Sequence, residues 1–91
     1  MPHMTDVMTD PARKRLLFQA MHRGFKEADI LLGSFAERYL PEMTDAQVEE
    51  FSQLLEAPDH DLYAWIIGRA DTPANLDGEV MQMLKSFSPV E

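Results

Sequence analysis

Apolar residues along this chain recur at intervals of three and four, and turn residues divide the pattern into five stretches. That spacing is the signature of helices with one buried face. Asp10-Pro11 predicts the first start, because Asp caps and Pro fits the first turn, where its missing N–H costs nothing. The helix should run to about Met21, with Leu16, Leu17, Ala20 and Met21 on one side. Gly24 suits the position just beyond its end, where left-handed backbone is common. A second helix begins near Phe25 or Lys26, carries Ala28, Leu31, Leu32, Phe35, Ala36 and Tyr39 inward, and ends at Pro41. Thr44-Asp45-Ala46-Gln47 fits a capping box and opens a third through Val48, Phe51, Leu54 and Leu55. Pro58-Asp59 interrupts. Leu62, Trp65 and Ile66 mark a short fourth helix that Gly68 terminates. Thr72-Pro73 starts a fifth with Leu76, Val80, Met83, Leu84 and Phe87, closed by Pro89, although Asp77-Gly78 falls inside its pattern. No stretch alternates with period two. The expected fold is all-α, a small single-domain bundle of about five short helices over residues 10–88, preceded by a disordered segment, residues 1–9.

Ninety-one residues hold one core and no second. The net charge of −8 argues against a nucleic-acid partner, since neutralising phosphates needs a Lys/Arg surplus. Cysteine is absent, which removes disulfides, thiolate metal sites and thiol catalysis. No apolar run is long enough for membrane insertion, and the first ten residues resemble neither a signal nor a transit peptide. These features lead to the expectation of a soluble, cytoplasmic protein of bacterial type.

Charge is unevenly placed. Residues 11–26 hold Arg13, Lys14, Arg15, Arg23 and Lys26 and no acid, whereas residues 37–91 hold 3 basic and 12 acidic residues. Arg13, Lys14 and Arg15 sit where the helix dipole disfavours cations, so helix stability alone does not select them. A partner for this basic edge is one explanation, and ordinary surface variation is the other. Catalysis has little to use. His3, His22 and His60 form no ligand pair, Ser34, Ser52, Ser86 and Ser88 lack a nucleophile elbow, and no glycine loop cradles phosphate. No catalytic residue and no metal ligand is therefore assigned. Met8, Met21, Met43, Met81 and Met83 suit a small core better than a binding groove. Gly33, inside the second helix, points to close packing of another helix.

The segment His22-Arg23-Gly24-Phe25-Lys26-Glu27 admits two readings. It is a glycine C-cap followed by a charged helix start, or a contact site. In the second reading the bare Gly24 admits a partner's backbone while Arg23 and Glu27 fix its orientation.

Arg23-Gly24-Phe25-Lys26-Glu27 resembles the R-G-x-x-E signature of the SdhE family of succinate dehydrogenase assembly factors, also called flavinylation factors. The similarity runs through Asp29–Ala36 and Tyr39-Leu40, and resumes at Phe51 and Leu54-Leu55-Glu56. Asp59-His60-Asp61-Leu62-Tyr63-Ala64-Trp65-Ile66 is similar to the family's D-x-D-L-[FY]-x-W-[LI] segment. Arg13-Lys14-Arg15-Leu16-Leu17 also looks like members of this family, so the resemblance covers roughly residues 13–85. Met21 departs from it, since many relatives carry an aromatic there. The resemblance implies a five-helix, non-enzymatic protein that binds the flavoprotein subunit of succinate dehydrogenase, and in bacteria also of fumarate reductase. It would promote covalent attachment of FAD to that subunit, acting as a chaperone. FAD would belong to the client and not to this chain, which is expected to be a monomer when free. Carried over by position, the partner-binding residues are Arg23, Gly24 and Glu27, with Arg15, His22 and Lys26 of the same basic stretch beside them. A different class stays open: an antitoxin-like or regulatory binding protein acting through the acidic face.

Overall fold

The computed structural model describes residues 10–87, so the expected disorder of residues 1–9, the placement of Met8 and the stop at Pro89 lie outside the described residues. Among the described residues five α-helices form: α1 (Pro11–Met21), α2 (Lys26–Tyr39), α3 (Asp45–Leu55), α4 (Asp59–Ile67) and α5 (Glu79–Ser86). The end signals explain most of the boundaries. Asp10 Oδ1 accepts from the Ala12 N–H at 3.0 Å and starts α1. Pro41 converts the end of α2 into a 3₁₀ turn, Leu40–Glu42. The Thr44–Gln47 capping box closes in both directions, at 3.1 and 2.9 Å. Gly68, at φ 85°, ends α4 in the left-handed conformation that glycine adopts without cost.

The last helix departs from expectation. Thr72-Pro73 leads only into a 3₁₀ turn, Ala74–Leu76, and Asp77-Gly78 breaks the chain before α5 begins at Glu79. The cause is a cap supplied from elsewhere. Glu50 of α3 accepts from the Val80 N–H at 2.8 Å, satisfying a donor at the start of α5. A Cβ on Gly78 would lie 2.6 Å from Glu50 Oε2, so a larger residue there would push the capping carboxylate from this position.

Inside, Leu32, Phe35, Leu40, Phe51, Leu54, Leu62, Val80, Met81 and Leu84 are fully buried in one core. Phe35 is its hub, with ring centroids 4.9 Å from Tyr39, 5.6 Å from Phe51 and 5.5 Å from Phe87. Met43 and Met81 fill the core as expected, but Met21 is 40% exposed. Met21 lies across the outside of Gly33, whose added Cβ would meet its Cγ at 3.1 Å. Gly33 thus serves the close α1–α2 packing that the sequence suggested.

Arg13 is not part of a free basic edge. Its guanidinium donates to the Leu40 carbonyl at 2.6 Å and to Asp10 at 3.2 Å, and lies 3.7 Å from Asp45. These contacts tie the start of α1 to the end of α2 and the start of α3, and they offset the unfavourable dipole. Lys14 and Arg15 remain exposed.

Candidate functional site

The α1–α2 loop is set by two carboxylates and one arginine. α1 stops at His22, and Phe25, in extended conformation, precedes α2. Asp29, in the first turn of α2, reaches back to accept from the Arg23 backbone N–H. Asp59, the first residue of α4, accepts from the Gly24 N–H at 2.5 Å through one oxygen. Its other oxygen lies 2.7 Å from Arg23 Nη2. The same nitrogen donates to the carbonyls of Leu55 at 3.0 Å and Ala57 at 3.2 Å, which the end of α3 leaves without helical partners. Arg23 Nε is buried without a partner. The Arg23 side chain is 9% exposed and that of Asp59 27%, so this pair is far less screened than a surface ion pair. Asp59 also sits where the α4 dipole favours an anion.

This geometry revises the reading of two motif residues. Gly24 is not left-handed: among the described residues only Gly68 has a positive φ. A Cβ at position 24 would fall 2.5 Å from Asp59 Oδ2, so a larger residue there would have to displace that carboxylate. Arg23 points inward and its charge is met inside the molecule, instead of standing free beside Gly24. The outward edge of the motif is formed by Gly24, Lys26 and Glu27, all exposed. Glu27 is also in the first turn of α2, where an acid is favoured.

Beside Glu27 the two motif segments meet. Phe25 stacks on His60, with centroids 4.4 Å apart and planes within 7°, and presents its edge to Tyr63 at 5.2 Å. Phe25, Glu27, His60, Tyr63, Ala64 and Arg69 line an open cleft. It offers an aromatic floor, one anionic and one cationic side chain. Aromatic side chains flanked by charges of both signs are the chemistry that suits recognition by shape and paired charge. On the far side of the loop, His22 Nδ1–H donates to the Phe18 carbonyl at 2.8 Å and its ring stacks on Phe18, which is 63% exposed.

The structure therefore brings Gly24, Lys26 and Glu27 to one edge, with His22 at its border. Arg15 stands apart, about 12 Å back along α1 at the usual helical rise. It lines a separate depression with Glu49 and Ser52 of α3 and Glu56 just beyond its end. Phe25, Asp59, His60, Tyr63 and Arg69 were not among the expected site residues. The available signal was the Asp59–Trp65 segment, which marks the resemblance but does not reveal that it folds onto Arg23 and Gly24. Among the described residues no group of three His, Asp or Glu is placed to hold a metal, and no helix is long and apolar enough to cross a membrane.

Residues 14–88 match the family model described as "Flavinator of succinate dehydrogenase". The chain is similar to proteins named succinate dehydrogenase assembly factor 2, mitochondrial. It is 42% identical to that of Danio rerio over 81 residues, covering 87% of this chain and 51% of the relative. For Dictyostelium discoideum the identity is 38% over 73 residues, covering 80% and 52%. For Scheffersomyces stipitis it is 40% over 77 residues, again covering 80% and 52%. The chain spans about half the length of these relatives. They overturn one expectation. A bacterial cytoplasmic location was inferred from composition and the first residues, whereas these relatives are mitochondrial proteins of eukaryotes. The physical reason for the error is that an acidic, cysteine-free helical domain is stable in either compartment.

Proposed function

This chain belongs to the family of succinate dehydrogenase flavinators, and from that premise we propose that it is an assembly factor for the flavoprotein subunit of succinate dehydrogenase. In this reading it binds that subunit and promotes covalent attachment of FAD without performing the chemistry itself. The observation that carries the proposal is the edge on which Glu27 meets the aromatic cleft of Phe25, His60 and Tyr63. FAD and the residue it joins belong to the client, because this chain carries no dinucleotide-binding motif. The factor acts by preferring one conformation of the client. About 1.4 kcal/mol of differential affinity shifts the client tenfold toward the competent state. The free factor is a monomer in this account, and the flavoprotein of fumarate reductase is a second client of the same chemistry. An antitoxin-like role through the acidic face is not carried forward, since the relatives are named as assembly factors.

The test is complex formation between the purified protein and the isolated flavoprotein subunit, measured by calorimetry. Glu27→Ala removes an exposed anion from the cleft rim and from the first turn of α2, so stability should fall by no more than about 1 kcal/mol and the protein should stay folded. Affinity should fall at least tenfold, since a charge pair desolvated at an interface contributes about 2–5 kcal/mol on truncation. Undiminished binding by Glu27→Ala would remove this residue from the interface. No binding by the unsubstituted protein would remove the proposal.

A further inference from the structure

We propose that Asp59 is a positioning residue for flavoprotein binding, and that Gly24 must be glycine because of Asp59 and not because a partner packs against it. The proposal rests on the assembly-factor reading above. Three observations carry it. One carboxylate holds both the Gly24 N–H, at 2.5 Å, and the Arg23 guanidinium, at 2.7 Å, across 35 residues of sequence. A Cβ on Gly24 would strike that carboxylate, at 2.5 Å from Oδ2. A free carboxylate end could swing aside, but this one is fixed on its other oxygen by an arginine that also bridges Leu55 and Ala57. The next residue along α4 is His60, on which Phe25 stacks. Asp59 therefore sets the distance between the Glu27 edge and the α4 wall of the cleft. Its effect on binding passes through Gly24, Phe25 and His60, and it need not touch the client.

The test is a double-substitution cycle read as affinity for the isolated flavoprotein subunit, with circular dichroism and melts to confirm folding. Gly24→Ala alone should weaken binding about tenfold or more, and so should Asp59→Ala. Combining the two should leave affinity within about twofold of Asp59→Ala alone, because the added methyl no longer meets a carboxylate. Should Asp59→Ala not fold, owing to the stranded Arg23 charge, Arg23→Gln is added to remove that charge. The same comparison is then made in that background. Asp59→Asn, equal in size and still able to accept from Gly24, should bind more tightly than Asp59→Ala, a rescue that loss of bulk stability alone does not predict. The proposal is overturned if Asp59→Ala is folded and binds normally. It is equally overturned if Gly24→Ala costs the same factor with and without Asp59, since Gly24 would then face the client. Failure of the underlying reading looks different: the unsubstituted protein itself would not bind.

Discussion

Replacing Arg23 with methionine is expected to destabilise the protein by about 2–4 kcal/mol. Methionine keeps most of the apolar stem and discards the guanidinium, so lost packing contributes little. What disappears is the shared donor for the Leu55 and Ala57 carbonyls and the counter-charge of Asp59. Removing one partner of a buried pair costs about 3–5 kcal/mol, and the lower end applies because Asp59 retains some solvent contact. The loss should appear as a lowered urea midpoint at unchanged slope. Lys14→Ala, on the exposed face of α1, should stay within about 0.5 kcal/mol. Equal effects of the two substitutions would show that the clamp does not hold the loop.

A larger loss is expected from Phe35→Ala. Phe35 is fully buried and in contact with three other rings. Truncating a buried Phe costs about 3–5 kcal/mol in transfer free energy and residual cavity. A domain of this size has about 5–10 kcal/mol in total, so the variant should be partly unfolded at physiological temperature. Circular dichroism melts and a dye for exposed apolar surface would read this directly. Phe35→Leu, which refills much of the volume, should recover at least half of the loss. A well-folded Phe35→Ala with a normal melt would mean the core is not organised around this ring.

The all-α fold was legible in the chain because its information is local. The Asp10-Pro11 start, the Thr44–Gln47 box and Gly68 each act within a few residues. The fifth helix was placed too early because its cap comes from Glu50, 30 residues upstream, which no local pattern reports. The candidate site divides in the same way. Glu27 at the start of α2 follows from local signals, as does the exposure of Lys26. The inward turn of Arg23 and the true reason for Gly24 do not. Both involve Asp59, 35 residues further along the chain, which meets them only in the folded protein. Arg13 carries the same lesson, since its unfavourable place in α1 makes sense only with Leu40 and Asp45 beside it. Sequence identified the motif, and tertiary structure separated the inward Arg23 from the exposed Gly24, Lys26 and Glu27.

The proposed role of this chain is to help a flavoprotein acquire covalent FAD through the Glu27 edge. The most direct test is in-gel flavin fluorescence of the succinate dehydrogenase flavoprotein subunit in cells whose own assembly factor has been deleted. Expression of this protein should restore the covalent signal, and Glu27→Ala, expressed at the same level, should leave most of it missing. A flavoprotein that stays unlabelled with the unsubstituted protein present, or that is labelled equally with Glu27→Ala, would contradict the account.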